Sequence, residues 1–192
     1  MRHFFVLSLF AVALCLPVVA QDTPDTIRPY CADLNKWRKS ATPVLLADAS
    51  DKEKSEWKRI ATDREFDALP EALFQHTNLA RVYSREKKVV FVEYQSTTGA
   101  GDWTLSADYC YRPDGTLASI RSELRTFAGE MIVTRNKYFA VDGTLLSEDE
   151  QFLDLRTRKP RKPGRDFQDQ QAPVVQNVSE WPFTDLLATS QQ

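Results

Sequence analysis

The sequence predicts an α+β fold, in which N-terminal helices pack on a curved antiparallel meander sheet of about six strands built from three hairpins. The first observation is a repeated turn: Asp-Gly-Thr-Leu occurs at residues 114–117 and again 28 residues later, at 142–145. The second is a change of hydrophobic period, which is helical over residues 31–75 and strand-like over residues 78–155. Together they place helices first and a sheet after them.

Residues 1–20 have the features of a signal peptide. Arg2 supplies positive charge, the following segment is almost entirely apolar, and the small residue Ala20 stands where a signal peptidase would cut. Two alternatives are an uncleaved anchor, for which the apolar run is short, and a lipoprotein modified at Cys15, which follows the bulky Leu14. We therefore expect a secreted or periplasmic protein that does not span a membrane once it is processed.

Removal of that segment would leave two cysteines, Cys31 and Cys110, in an oxidising compartment. We expect them to form a disulfide, which in the chain-entropy model stabilises the fold by about 4 kcal/mol. A metal site is the alternative, but His76 would be the one remaining histidine, so the two thiolates lack partners. No metal ligand and no cofactor is assigned.

Charge and composition limit the partners and divide the chain. The full chain has a formal net charge of -2, and loss of Arg2 makes it -3. A charge this close to zero does not favour nucleic acid as a partner. The mature chain is predicted to have one α+β domain at 21–155, a basic Pro/Gln-rich linker at 156–175 and a C-terminal docking segment at 176–192.

The predicted helical region contains two helices and a short turn. Residues that share one face define the first helix: Cys31, Leu34 and Trp37. Ser50–Glu53 has the pattern of a capping box and opens the second helix, which carries Trp57 and Ile60 on one face. Pro70 begins the short turn, because proline is favoured at a first helical position.

The region after Asn78 contains six strands separated by turn residues. They are predicted at 78–83, 88–96, 102–111, 116–127, 130–139 and 144–155. Pro113–Asp114 suits a type I turn that Gly115 closes with a positive φ, and Gly143 repeats the device. A calcium loop would need acidic ligands at alternate positions, and a phosphate loop would need a helix after the glycine, so neither is expected here.

Side-chain chemistry predicts the register of the hairpins. In the first Asp-Gly-Thr-Leu hairpin, Tyr109 is expected opposite Ala118, which collects the apolar residues on one face and leaves polar ones, such as Asp108, on the other. In the next hairpin Leu124 is expected opposite Val133. The last hairpin is expected to pair Arg135 with Glu148, Val133 with Glu150, and Lys137 with Leu146.

One cysteine fits this register poorly. Cys110 falls on the polar face, whereas Cys31 shares a helix face with Leu34 and Trp37. A disulfide therefore requires the first helix to reach the polar face or to wrap around the strand end. If the helix packs only on the apolar face, the predicted register is off by one residue.

The apolar face of the sheet is the candidate ligand site. Its predicted floor consists of aromatic residues: Trp103, Tyr109, Tyr111, Phe139 and Phe152. Four charged residues are expected at its end: Arg135, Lys137, Glu148 and Glu150. An aromatic trough with a polar mouth is typical of a small-molecule site. The alternative is that this end emerges from beneath the helices with its charges paired and solvated.

No catalytic residue is assigned. His76 is the one imidazole of the mature chain, and no Gly-x-Ser-x-Gly motif accompanies it. Carboxylate pairs are too frequent to select the acid and the nucleophile of a glycosidase. A hydrolase is therefore the third alternative for function.

The sequence favours a non-catalytic binding protein for a small apolar or amphipathic ligand. The competing class is an envelope interaction or assembly protein. Residues 156–165 contain six cations, which suit either a solvated linker or contact with an anionic surface. Trp181–Leu187 suits docking on its own domain or on a partner.

Overall fold

The computed structural model describes residues 22–49, 56–65, 77–127, 129–164, 167 and 169–188. Its main element is an antiparallel sheet of eight strands in the order β2-β1-β3-β4-β5-β6-β7-β8. The strands are β1 Leu45–Asp48, β2 Lys58–Arg59, β3 Thr77–Arg85, β4 Lys88–Thr97, β5 Trp103–Tyr111, β6 Leu117–Thr126, β7 Met131–Phe139 and β8 Leu145–Asp154. Helix α1 spans Pro24–Arg38, a 3-10 helix spans Val178–Glu180 and helix α2 spans Thr184–Ala188. Within the described ranges no helix is long and apolar enough to cross a membrane.

Helix α1 begins where the local sequence specifies a helix start. Thr23 is the N-cap: its hydroxyl accepts a hydrogen bond from the Thr26 backbone N–H at 3.3 Å, and Pro24 takes the first helical position. The helix buries Ile27 and Leu34 against the sheet. Its buried face therefore fixes the position of the whole helix on the strands.

The predicted set of several N-terminal helices is wrong beyond α1. Residues expected in the helical region 31–75 form β1 and β2 instead, and Leu45 and Ala47 of β1 are fully buried. β1 is a strand because it pairs with β3, a partner distant in sequence that local periodicity does not reveal. The predicted capping box at 50–53, the turn at Pro70 and His76 lie outside the described residues.

Strands β3 to β8 confirm the predicted antiparallel meander of consecutive hairpins. The three hairpins share one irregularity, since Val90, Ala118 and Leu146, spaced by 28 residues, are each skipped in the strand pairing. Each skipped residue is a β-bulge, in which two residues of one strand oppose one of the other. The 28-residue repeat therefore describes a complete hairpin with its bulge, and not the turn alone.

The predicted register is wrong by two residues in both Asp-Gly-Thr-Leu hairpins. Each turn is one residue longer than expected and the bulge adds a second residue, so most side chains keep the predicted face but change partner. Tyr109 lies opposite Ile120, and Ala118 turns to the other face. The observed partners in the last hairpin are Glu150 for Arg135, Phe152 for Val133 and Glu148 for Lys137. Between β6 and β7 the pairing of Leu124 with Val133 is as predicted.

The two Asp-Gly-Thr-Leu turns are built alike. Gly115 and Gly143 have φ values of +88° and +84°, which glycine adopts without strain. In each turn the aspartate accepts a hydrogen bond from the threonine backbone N–H, at 3.0 Å in the first copy and 2.9 Å in the second. Hydrogen bonds from the threonine hold the pKa of both aspartates below the usual range.

Both faces of the sheet are covered, but by different elements. The inner face, which carries most of the core, packs against residues 169–188, the C-terminal strap, and the outer face packs against α1. Cys31 of α1 forms the predicted disulfide with Cys110 of β5, with their Cα atoms 5.8 Å apart. Helix α1 thus lies on the polar face that carries Cys110, which makes the disulfide compatible with the predicted faces.

Candidate ligand sites on the two faces of the sheet

The predicted aromatic trough lies on the inner face, beneath the C-terminal strap. Tyr109 and Tyr111 are fully buried and Phe139 is 3% exposed, while Trp103 and Phe152 are partly buried. Strap residues fill the space above this floor: the Trp181 ring stands edge-on to Tyr109 at 4.9 Å between centroids and stacks on the Phe183 ring at 5.0 Å. The structure therefore brings the five predicted aromatic residues together and places the chain's own strap on them.

Polar atoms of the trough are bonded to the strap. The Tyr109 hydroxyl donates to the Pro173 carbonyl at 2.8 Å, and the Tyr111 hydroxyl donates to the Val175 carbonyl at 3.2 Å. The Trp181 indole N–H in turn donates to the Tyr111 hydroxyl at 2.8 Å. Burial raises the pKa of both tyrosines, so both stay neutral donors. A ligand on this floor would have to replace these hydrogen bonds.

The four charged residues predicted at the mouth of the trough also face the strap. Arg135 is 2% exposed and pairs with Glu150 and with Asp169 of the strap, the latter at 2.7 Å. Lys137 pairs with Glu148 at 3.3 Å and donates to the Gln171 side chain at 3.0 Å. These residues anchor the strap, and Asp169 is the anchoring partner that sequence reasoning did not identify.

Both Asp-Gly-Thr-Leu turns are docking points for the strap. The Val178 backbone N–H donates to the Gly115 carbonyl at 3.0 Å, and the Gln176 side chain donates to the Gly143 carbonyl at 3.2 Å. A Cβ added at Gly143 would lie 3.1 Å from the Gln176 side chain. The repeated turn thus has a second role, because both copies lie at one end of the sheet and hold the same segment.

The outer face carries a row of polar side chains that crosses six strands. Its members lie directly opposite one another on β3 to β8: Arg81, Glu93, Asp108, Arg121, Asn136 and Asp149. The sequence places this face towards solvent and does not identify the row, because the row exists only in the observed register. We call these six residues the polar row.

Helix α1 is ion-paired to three members of the polar row. Arg38 pairs with Glu93 and, at 3.5 Å, with Asp108. Arg28 lies 3.8 Å from Asp149, and its guanidinium carbon lies 5.1 Å from the centroid of the Tyr138 ring. These contacts, with the disulfide, hold α1 across the strands.

The charge state of Asp108 reflects its position under the helix. Burial raises the pKa of Asp108; the Arg38 guanidinium lowers it, the neighbouring Glu93 carboxylate raises it, and the Arg121 guanidinium lowers it. The net result is a pKa above the usual value. A positive charge such as that of Arg38 is therefore favourable next to Asp108, and a further negative charge there is unfavourable.

A groove of about 190 Å³ lies between α1 and the sheet, beside these ion pairs, and we call it the α1 groove. Its apolar wall is formed by the Cys31–Cys110 disulfide and the rings of Phe91 and Tyr138. Its polar lining includes Asn35 of α1 and three adjacent members of the row, Asp108, Arg121 and Asn136. In the part of the chain that the structure describes, the side chains of Arg121 and Asn136 form neither a hydrogen bond nor an ion pair.

A second cavity, of about 410 Å³, lies between the start of α1 and the first Asp-Gly-Thr-Leu turn. Its cation, Arg112, donates to the carbonyls of Leu117 and Phe139, both at 2.6 Å, and pairs with Asp22 at 2.9 Å. Because Arg112 is bonded within the chain, this cavity offers a ligand less polar chemistry than the α1 groove does.

The α1 groove therefore combines apolar walls with two polar side chains, Arg121 and Asn136, that form no hydrogen bond or ion pair among the described residues. A comparison of the chain with protein-family models, with curated proteins and with solved structures finds no match. The proposal of a function consequently depends on the geometry of this chain.

Proposed function

We propose that the protein is a secreted or periplasmic, non-catalytic binding protein for a small amphipathic ligand, and that the ligand occupies the α1 groove. The observation that carries the proposal is the pairing of an apolar wall with the unpartnered side chains of Arg121 and Asn136. Binding sites for small molecules have this composition, a mainly apolar lining with a few placed polar groups. The site predicted from the sequence, which consists of the five trough aromatics and the four charged residues at the end of the trough, stays a prediction.

The dimensions of the groove set the size of the ligand. Its volume is about 190 Å³, and an apolar cavity of about 150 Å³ in other proteins holds one benzene molecule. The groove accordingly suits a ligand with one ring or a short chain and one polar group. Larger ligands would extend into solvent, because the groove is open on one side.

A groove-filling substitution tests the site. Ala32 is an exposed residue of α1 that lines the groove, whereas Lys36 is an exposed residue of the same helix that does not. Native mass spectrometry of protein purified from its own host is expected to show a small bound mass in the wild type and in Lys36→Trp, and none in Ala32→Trp. Retention of that mass by Ala32→Trp, or its absence from the wild type, would contradict the proposal.

A second candidate function, contact with an anionic envelope surface, is favoured by the position of the basic segment. The Arg161 backbone N–H donates to the Phe152 carbonyl at 3.0 Å, and the Asp154 N–H donates to the Lys159 carbonyl at 2.8 Å. The segment is therefore held along the edge of β8, while the side chains of Lys159 and Lys162 are exposed. A cation near an anionic bilayer contributes about 1 kcal/mol.

Vesicle binding separates this candidate from the first. Lys159→Ala/Lys162→Ala is expected to sediment less with vesicles of anionic lipid than the wild type does, and Lys36→Ala/Lys39→Ala is the matched control on α1. Equal sedimentation of both double variants, or equal binding to neutral vesicles, would contradict an envelope role.

A further inference from the structure

We infer that the α1 groove selects a carboxylate, and that Arg121 binds this carboxylate of the ligand. The inference rests on the proposed function and names the chemical class of its ligand. Arg121 lies at the centre of the polar row, directly between Asp108 of β5 and Asn136 of β7.

The cations in and beside the groove are not equivalent. Arg38 is committed to Glu93 and Asp108, and Arg28 to Asp25 and Asp149. Arg121 is exposed and forms no ion pair or hydrogen bond in the described ranges, although its charge acts on its cross-strand neighbour Asp108. A planar guanidinium binds the two oxygens of a carboxylate through two parallel N–H donors, so Arg121 is equipped for that group.

The surroundings of Arg121 disfavour other charged ligands. A cationic ligand would approach the guanidinium of Arg121 and that of Arg28, while Asp108 is already paired with Arg38. A phosphate dianion would bring two negative charges next to Asp108, the direct cross-strand neighbour of Arg121. One negative charge, spread over two oxygens, fits this arrangement best.

Two amide side chains also belong to the polar lining. Asn136 lies directly opposite Arg121 and has no hydrogen-bond partner in the described part of the chain, so its amide N–H is available to a carboxylate oxygen. The side-chain carbonyl oxygen of Asn35 accepts a hydrogen bond from Arg38 at 3.0 Å. The NH₂ group of Asn35 therefore remains as a donor to a ligand. The remaining part of the ligand would contact Phe91, Tyr138 and the disulfide.

Benzoate and benzamide form a matched pair of probes, because they share ring and size but differ in charge. Arg121→Gln removes the proposed carboxylate partner. Arg125→Gln is the control: Arg125 lies on the same face of β6, pairs with Glu123 at 2.7 Å and does not line the groove. Affinities are measured by NMR titration at millimolar probe concentration, with the shifts mapped onto α1 and β4 to β7.

Wild type and Arg125→Gln are expected to bind benzoate equally, and about tenfold or more tightly than benzamide. Arg121→Gln is expected to lose about tenfold or more in benzoate affinity and to keep its benzamide affinity. Equal affinity for the two probes, or an unchanged benzoate affinity in Arg121→Gln, overturns the carboxylate inference and leaves the groove as a binding site. If neither probe shifts the resonances of groove residues, the inference is overturned as well. The proposed function is tested separately: it is contradicted if protein purified from its own host carries no bound mass.

Discussion

The two faces of the sheet are covered in contrasting ways. On the inner face the strap places Trp181 and Phe183 on an aromatic floor, and the hydroxyls of Tyr109 and Tyr111 are bonded to strap carbonyls. On the outer face α1 is fixed at its ends by ion pairs and at its middle by a disulfide, and a groove remains beside it. The strap packs closely on the inner face, whereas α1 is held on the outer face at a few points and leaves a groove.

Aromatic content alone does not locate a binding site. The richest aromatic surface is filled by the chain itself, and its buried polar atoms are bonded there. The less aromatic face keeps polar side chains without partners among the described residues, at Arg121 and Asn136. An exposed guanidinium without an ion pair beside an apolar wall makes this face the better candidate.

The largest expected effect comes from removing the centre of the inner cover. Trp181→Ala should lower the free energy of unfolding by about 3–5 kcal/mol, because it leaves a cavity over Tyr109 and removes the donor to the Tyr111 hydroxyl. Trp37→Ala is the matched change on the partly buried side of α1 and should cost clearly less. Urea unfolding measures both free energies, and equal losses of stability would contradict the expectation that the strap is packed more tightly than α1.

Removing the disulfide should weaken the outer cover selectively. Cys31 and Cys110 are 79 residues apart, and a loop of that length corresponds to about 4 kcal/mol in the chain-entropy model. Cys31→Ala/Cys110→Ala should therefore unfold at lower urea concentration, with amide hydrogen exchange rising first in α1. If the exchange instead rises first in the strap, the two covers are not independent.

Anchoring of the strap by a buried cation can be compared with anchoring of the helix at an exposed one. Asp169→Ala leaves the nearly fully buried Arg135 with Glu150 alone and should cost about 1–3 kcal/mol. Asp149→Ala removes the 3.8 Å partner of the half-exposed Arg28 and should cost less than about 1 kcal/mol. Thermal and urea unfolding of the two variants gives the difference, and a larger loss for Asp149→Ala would contradict the comparison.

The smallest effect is a titration on the outer face. Burial raises the pKa of Asp108 and Arg38 lowers it, so Arg38→Met should raise that pKa further. Because the folded state then binds the proton of Asp108 more tightly than the unfolded state does, protonation of Asp108 stabilises the fold at low pH. This stabilisation is lost as pH rises from about 3.9 through the pKa of Asp108 in the folded state. Carboxyl-carbon NMR titration follows Asp108, and a lower pKa in Arg38→Met would contradict this assignment.

The strands and turns that local chemistry specifies could be predicted from the sequence. The alternation of side chains and the glycines at 115 and 143 predict β3 to β8, and the structure agrees within one or two residues at most strand ends. β1 was missed because it is a strand only in partnership with β3. The bulge at Ala118 was missed because no local preference distinguishes that residue from its neighbours, and Leu146 repeats the error one period later.

The candidate site depended on just these missed features. The polar row forms only when Asp108 lies opposite Arg121, which requires the two-residue shift that the turn and the bulge create. The strap's place on the trough depends on Asp169 reaching Arg135, a contact between residues 34 apart in a chain that passes around β8. Alternation along the strands places the trough aromatics on one face, but the identity of what covers them is a tertiary property.

The edge of β8 has a consequence for self-association. Lys159 and Arg161 occupy the hydrogen-bonding positions beside Phe152–Asp154, so this half of the edge is closed to another molecule. The other half carries three consecutive carboxylates: Glu148, Asp149 and Glu150. Two copies that tried to join their sheets there, strand against strand, would bring like charges face to face. Pairing of two copies through the β8 edge is thus disfavoured.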